Sequence, residues 1–407
     1  MKVLLASTSA EMFSGAVRCL LELAIQLRKR QIEVVVVVPR HGDMEDALKK
    51  EGIPYYCIHE YHSWYTSPEH RNNHFYGKRL LNGKALIQML YVIRKEKVDL
   101  VHVNSLTAYV AGWAASFSRK PLVWHIREFM EEDLGISFFD PPYSVKKLNR
   151  ADRMIAISES VKQKWETVLS SPMEVIYDGI PVEDYYISRE EKIAQNTKMD
   201  LIPNGDRIRN GFSESHRPIR VLLYGRIVPG KGQLFFLQGV HRALKQTSRS
   251  LVCCWAGRIE DPAYYEACCR YLADNHLSDQ IVYLGEVRNI KETLAQTDIV
   301  CVCSHREGFG RVTVEAMLGQ CLVLGADSGG TRELIQDGVT GFLYKEASLQ
   351  SFAKQLTGMA EHYEEYEAIA INGQQYAMEH FTVEKNADQI AALYRQLEQE
   401  IGAKGYT

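Results

Sequence analysis

Glu307 and Glu315 stand eight positions apart in the run EGFGRVTVE, and Gly308, Phe309 and Gly310 directly follow the first acid. Two carboxylates offer acceptors to hydroxyl groups. The preceding run IVCVC, residues 299–303, reads as a buried parallel strand. Gly308 and Gly310 would let the backbone turn sharply and approach a ligand. From about Arg311 the pattern becomes helical, with Val312, Ala316 and Met317 on one stripe. Glu307 is therefore expected at the carboxyl end of a strand, where open α/β sheets bind ligands. Glu315 falls about one turn inside the next helix, able to look back at that point. N–H groups at a helix start suit a phosphate. Together these features suit a sugar joined to a diphosphate. The plainer alternative is a packed turn flanked by two surface acids.

A second element is GRIVPGKG, Gly225 to Gly232. It follows a strand-like run and precedes a helical one, where backbone N–H groups and cations can cradle phosphate. Arg226 offers a planar fork and Lys231 a mobile point charge, and both could stabilise charge on a leaving diphosphate. The segment also matches the start of a P-loop, but Gly232 stands where that motif needs Ser or Thr for magnesium. No Asp-x-Asp pair occurs in the chain. Charge neutralisation is thus expected from Arg226, Lys231 and a helix end, with no metal ligands and no cofactor beyond the co-substrate.

In the first half, PLVWHIRE places His125 at the end of a central strand. A histidine there could hydrogen-bond a bound sugar, or could be a core histidine satisfied locally. Trp124, Arg127 and Glu128 surround it in sequence. MFSGAVR carries Gly15 at the start of the first helix.

Taken together, these segments resemble family 4 of the retaining glycosyltransferases (group 1), whose fold is GT-B. The resemblance covers nearly the whole chain. It rests on Glu307 to Glu315, the GR…KG segment, SGGTRELIQDGVTGFL, ADRMIAISES and VIYDGI. It implies an α/β architecture of two Rossmann-like doubly wound domains facing a deep cleft. It implies that Arg226 and Lys231 hold the donor diphosphate and that Glu315 accepts from the ribose. Glu307 would meet hydroxyls of the transferred sugar, near the backbone N–H groups of Gly308, Phe309 and Gly310. Val287, in LGEVRN, matches the loop that holds the base, and Gly15 matches the glycine that approaches the phosphate. His125 gains its role at the reacting centre from the same likeness. Ser14 and Arg258 stand where relatives often have glycine.

At 407 residues two domains are expected. The echo of KVLLAS in IRVLLYG suggests similar builds. The boundaries read as 1–182 for an acceptor-side domain, with a C-terminal helix of about 386–407 packing back on it. Residues 183–217 read as a polar linker or excursion, and 218–385 as the donor domain. A net charge of −3 gives no support to nucleic-acid binding. No run is apolar enough to span a bilayer, and MKVLLASTSA reads as the first strand. Nine cysteines without a CxxC pair suggest free thiols in a reducing cytoplasm.

Two loops invite an acceptor: residues 61–77, rich in aromatics and histidines, and residues 134–147, LGISFFDPPYSVKK, which combine aromatics with lysines as a membrane-docking loop would. The expected reaction is retaining, metal-independent hexosyl transfer from a nucleotide diphosphate sugar, a UDP-sugar foremost. The acceptor is a saccharide or lipid-linked saccharide in cell-surface polysaccharide synthesis. The expected setting is the cytoplasm, with peripheral contact at the membrane's inner face. The rivals are a GT-B nucleotide-sugar epimerase, a non-catalytic subunit of a synthase complex, and a dehydrogenase. The last is weakened because no GxGxxG follows the first strand.

Overall fold

Short runs dense in β-branched residues form the strands, as in the EVVVVV run of Glu33–Val38. The computed structural model describes residues 1–61, 63–67, 75–196 and 217–403. The strands are β1 (Lys2–Ala6), β2 (Glu33–Val38), β3 (Tyr55–Cys57), β4 (Tyr65–Thr66), β5 (Leu100–Val103), β6 (Leu122–Ile126), β7 (Ser137–Phe138), β8 (Arg153–Ala156) and β9 (Met173–Val175). They continue as β10 (Ile219–Tyr224), β11 (Leu251–Ala256), β12 (Ile281–Tyr283), β13 (Ile299–Val302), β14 (Leu322–Ala326) and β15 (Phe342–Tyr344).

The chain divides into two units, Met1–Gly179 with Thr382–Thr407, and Ile180–Phe381. The first carries a parallel sheet ordered β3-β2-β1-β5-β6-β8-β9, and β4 pairs with β7 in a small antiparallel ribbon. Its core joins Val3, Leu5, Val34 and Val36 of the sheet to Leu20, Leu23 and Leu27 of the helix Gly15–Lys29. The helix Val383–Ala403 adds Ala387, Ile390, Tyr394 and Leu397 to that core.

The second unit carries a parallel sheet ordered β12-β11-β10-β13-β14-β15. Its core is built around Phe236, Trp255 and Phe352. In both sheets the strand order reverses once, between β1 and β5 and between β10 and β13. Such a reversal leaves a crevice at the carboxyl ends of the two central strands.

The stretch from 183, which the sequence suggests as a linker, is helical at Val182–Tyr185 and Arg189–Asn196 and belongs to the second unit. Buried Lys192 donates to the carbonyls of Leu294 (2.7 Å), Thr297 (2.5 Å) and Gly319 (3.1 Å). A cation there satisfies carbonyls at the ends of two helices, which ties the segment down. Residues 197–216 lie outside the described residues. Seven of the nine cysteines are buried.

Candidate active site

The bends after β10 and β13 meet at the reversal in the second unit. Lys231 ends the short 3-10 turn Pro229–Lys231, and Glu307 follows β13. The Lys231 ammonium donates to Glu307 Oε1 at 2.5 Å, and the Ser304 hydroxyl donates to the same oxygen at 2.5 Å. Burial pushes the Glu307 carboxyl up, but Lys231, Ser304 and Arg226 outweigh it and hold the group below its ordinary value. Arg226 is half-exposed and pairs with Glu260 at 3.0 Å. The His305 amide donates to the Gly230 carbonyl at 3.0 Å, closing one bend on the other.

That closeness explains the departure from a P-loop. Gly232 has φ +73, and a Cβ there would lie 2.0 Å from the Cys303 carbonyl oxygen. No side chain fits without moving the end of β13. Gly232→Ala is expected to destabilise the protein by about 1–3 kcal/mol, read as an earlier denaturant midpoint at unchanged slope. A midpoint equal to wild type would remove this account of the glycine.

The glycine pair of DSGG serves the same backbone. Gly329 has φ +52, and a Cβ there would lie 2.7 Å from the Glu307 carbonyl oxygen, which accepts from the Gly330 amide at 2.8 Å. Gly308 and Phe309 are thereby pressed between two turns. The Phe309 ring is buried and meets Phe381 edge-on, with centroids 5.9 Å apart. Its side chain is therefore a packing group, and only its backbone is left for a ligand. Gly310 caps the helix Arg311–Leu318 without a side-chain cap, and this leaves the helix start suited to an anion.

Glu315 is buried inside that helix. The Tyr224 hydroxyl donates to its Oε2 at 3.1 Å, and Arg311 lies 3.5 Å from Oε1. Val287 is half-buried on the loop after β12, at the sheet's edge. That loop docks through Gly285, whose carbonyl accepts from the Gly257 amide at 2.8 Å. Arg258, exposed, supplies a carbonyl to the Ile227 amide at 2.8 Å. The second unit thus gathers Arg226, Lys231, Glu307, Gly308, Phe309, Gly310 and Glu315 at one end of its sheet, with Val287 farther along it.

Gly15 and His125 belong to the first unit. Gly15 opens the helix Gly15–Lys29, where Ser14 makes no side-chain cap. Asn104, just past β5, donates to the Ala16 carbonyl at 2.9 Å and accepts from Arg127 at 3.2 Å. His125 is buried in β6, and its Nδ1 lies 3.3 Å from His102 Nε2. His102 Nδ1 in turn lies 2.6 Å from the Tyr394 hydroxyl. His125 Nε2 is buried and has no hydrogen-bond partner among the described residues. Burial first, then Arg127, drives His102 down to about 3, and the same causes with His102 added hold His125 well below 6.5. Both rings are therefore neutral near pH 7.

The neighbours of His125 turn inward instead of towards a ligand. Trp124 donates to the Ser105 carbonyl at 2.9 Å, and Arg127 pairs with buried Asp178. Glu128 accepts from Ser105, from the Leu106 amide at 2.7 Å and from the Arg127 amide at 2.9 Å. Burial still pushes its carboxyl up to about 7. Ser304, Tyr224, His102 and Tyr394 are the polar partners in these clusters that local motifs do not single out. His102 had a visible signal, since DLVHV repeats the strand-then-histidine pattern of PLVWHI.

Of the two acceptor loops, residues 62 and 68–74 lie outside the described residues. In residues 134–147 Phe138 is buried, and Leu134 and Phe139 are the exposed large apolar side chains.

Two doubly wound units, the second with a carboxylate–lysine pair at its strand reversal, are the architecture of the GT-B class. Residues 205–376 match the model of glycosyl transferases group 1, and residues 13–184 that of glycosyltransferase family 4. N-acetyl-alpha-D-glucosaminyl L-malate synthase of Bacillus anthracis is 30% identical over 309 residues, covering 75% of this chain and 77% of that one. UDP-Gal:alpha-D-GlcNAc-diphosphoundecaprenol alpha-1,3-galactosyltransferase of Escherichia coli is 22% identical over 330 residues, covering 76% and 79%. The crystal structure of Anabaena HepE in complex with UDP-glucose superposes with a TM-score of 0.77 at 24% identity, covering 97% and 100%. That likeness speaks for the GT-B fold. The chain belongs to the group 1, family 4 glycosyltransferases.

Proposed function

We propose that this glycosyltransferase is a retaining, metal-independent hexosyltransferase. It would move a sugar from a UDP-sugar to a saccharide or lipid-linked saccharide in cell-surface polysaccharide synthesis. The observation that carries the reading is the Lys231–Glu307–Ser304 cluster at the strand reversal. It sets a cation for a diphosphate beside a carboxylate for sugar hydroxyls. The UDP-glucose bound by HepE and the diphosphoundecaprenol acceptor named for the Escherichia coli relative support the donor and acceptor classes. A cytoplasmic setting at the inner membrane face goes with them.

In this reading Arg226 and Lys231 hold the diphosphate, together with the amides of Gly308, Phe309 and Gly310. Glu315 accepts from the ribose and the Val287 backbone holds the base. Gly15 approaches the phosphate, and His125 donates to the donor sugar. The bond from the anomeric carbon to the β-phosphate oxygen breaks on the same face at which the acceptor oxygen bonds. The acceptor proton passes to the leaving phosphate oxygen, giving UDP and a product with the donor's anomeric configuration. The two cations stabilise the charge that builds on the leaving group.

The test is incubation of the protein with UDP-, GDP- and ADP-sugars, with and without a lipid-linked saccharide and with EDTA throughout. Products are read by anomeric NMR. Retained configuration from a UDP-sugar, only with acceptor present, is expected. An inverted product, a need for metal, or conversion of the donor alone would overturn the reading. Glu307→Gln separates the two halves of the cluster. It frees Lys231 for phosphate and removes an acceptor for sugar hydroxyls. Turnover is expected to fall roughly a hundredfold, while UDP affinity by calorimetry holds or rises. An equal loss in both would show that the carboxylate supports the nucleotide instead.

A further inference from the structure

The helix Phe75–Lys95 is apolar on two sides. Asn82, Ala85, Met89, Val92 and Ile93 are buried on one. On the other, Leu80, Ile87 and Tyr91 are 82%, 69% and 62% exposed, and Tyr76 shares their face. At 3.6 residues per turn these four fall within an arc of roughly 60°. A surface helix of a globular protein ordinarily turns its polar side to water. Here the outward stripe is apolar except for Arg94 at its C-terminal end, and a contiguous apolar patch marks a contact surface.

Charge decides what the contact is. Residues 75–95 contain Lys78, Arg79, Lys84, Arg94 and Lys95 and no Asp or Glu. Arg79 and Lys147 rest against the same Tyr143 ring, 4.0 Å and 5.2 Å from its centroid, and Lys95 lies 5.8 Å from the Tyr91 ring. Lys78 falls with Asn82, Ala85 and Met89 on the inner side, whereas Arg79, Lys84, Arg94 and Lys95 lie on or beside the outward face. A second copy of the chain, docked through a two-fold axis, would set these four cations against their own copies. An anionic bilayer satisfies both features, since acyl chains take the apolar stripe and lipid phosphates take the flanking cations. The patch also continues towards the segment after β7, because the Tyr76 ring meets that of Phe139 at 6.3 Å. The docking element is therefore the helix, with the 134–147 loop at its margin. Periodicity hides it, since a helix apolar on both sides has no single stripe to detect.

We propose that the outward face of the Phe75–Lys95 helix docks the first unit on an anionic lipid surface. The purpose, bringing the protein to a lipid-linked acceptor, rests on the proposed function. The binding itself does not.

The test is co-sedimentation of the full chain with neutral phosphatidylcholine vesicles and with vesicles containing added phosphatidylglycerol. Binding to the anionic vesicles alone, weakened by salt, is expected. Lys84→Gln, Arg94→Gln and Lys95→Gln combined should lower partitioning about a hundredfold, at roughly fivefold per cation. Leu80→Ser with Ile87→Ser should abolish it. Unchanged melting temperatures establish that these variants are folded, and unchanged turnover on a delipidated acceptor establishes that the chemistry is intact. Wild type binding neither vesicle, variants binding like wild type, or a self-association abolished by Leu80→Ser would each overturn the proposal. If no donor supports transfer but vesicle binding follows this pattern, the docking stands and the proposed reaction alone falls.

Discussion

Lys231→Ala is expected to cut turnover about a hundredfold to a thousandfold, the usual cost of one preorganised donor at a developing anion. UDP affinity by calorimetry should fall with it. The variant also exposes what Lys231 does without ligand. Its ammonium sits 2.5 Å from Glu307 Oε1, and with Ser304 and Arg226 it overcomes a burial that pushes the carboxyl up. In the wild type the folded pKa of Glu307 is depressed. Its contribution to stability is therefore present above 4.5 and lost as pH falls through the folded value. Removing Lys231 leaves burial opposed only by weaker partners, so the pKa moves upward and this contribution shrinks. Lys231→Ala should lose about 1–3 kcal/mol at neutral pH from the under-compensated carboxylate, and the deficit should narrow as pH falls towards 4.5.

The double variant Lys231→Ala/Glu307→Gln separates the effects. A neutral amide no longer needs the cation, so most of the stability should return, whereas turnover should stay low. Stability and turnover recovering together would mean that Lys231 serves Glu307 alone. Unchanged UDP affinity and turnover in the single variant would remove the lysine from the site.

The sequence carries the parts of this cluster but not their pairing. Glycines between an apolar run and a helical one place Lys231 and Glu307 at strand ends, because that signal is local. Their contact spans 76 positions and exists only because β10 and β13 are neighbours in the sheet. Strand order is a property of the whole sheet, which no local pattern encodes. The same holds more strongly for His102 and Tyr394, 292 positions apart. The stripe of Ala387, Ile390, Leu393 and Leu397 marks the helix face in the sequence, but only packing gives the Tyr394 hydroxyl a histidine. Phe309 was legible as part of a turn, but its inward direction depends on Phe381. Residues 183–196 look like linker because they are polar, and they are held as helices by carbonyls that Lys192 reaches from more than a hundred positions away.

Tyr394→Phe is expected to lower turnover about tenfold, the worth of one ordinary hydrogen bond, although Tyr394 is on the C-terminal helix and two rings away from His125 Nε2, the nitrogen proposed to meet the donor sugar. The buried Tyr394 hydroxyl has His102 Nδ1 at 2.6 Å, and a buried hydroxyl proton needs an acceptor. If Tyr394 donates there, the single proton of neutral His102 is on Nε2. It then donates across 3.3 Å to His125 Nδ1, and the proton of His125 is on Nε2, the buried nitrogen with no partner among the described residues. The chain thus fixes His125 as a hydrogen-bond donor in the tautomer that a sugar oxygen requires. Phenylalanine releases the constraint without adding bulk, so kcat should fall while the donor KM holds. A purely packing role for the tyrosine predicts lower stability with kcat intact. The pH dependence gives a second reading. His102 is depressed to about 3 from 6.5. Its contribution to stability is therefore present above 6.5 and lost as pH falls towards the folded value. By about pH 4.5 the loss from this one ring is about 3 kcal/mol. Glu128, raised to about 7, works in the opposite direction, contributing most below 4.5 and less as pH rises through 7. It remains in a His102→Asn variant and cancels in the comparison. Denaturant titrations at pH 7 and 4.5 should show that variant losing about 3 kcal/mol less than wild type on acidification. An equal loss in both would mean that His102 accepts a proton while folded, and the tautomer chain would go with it.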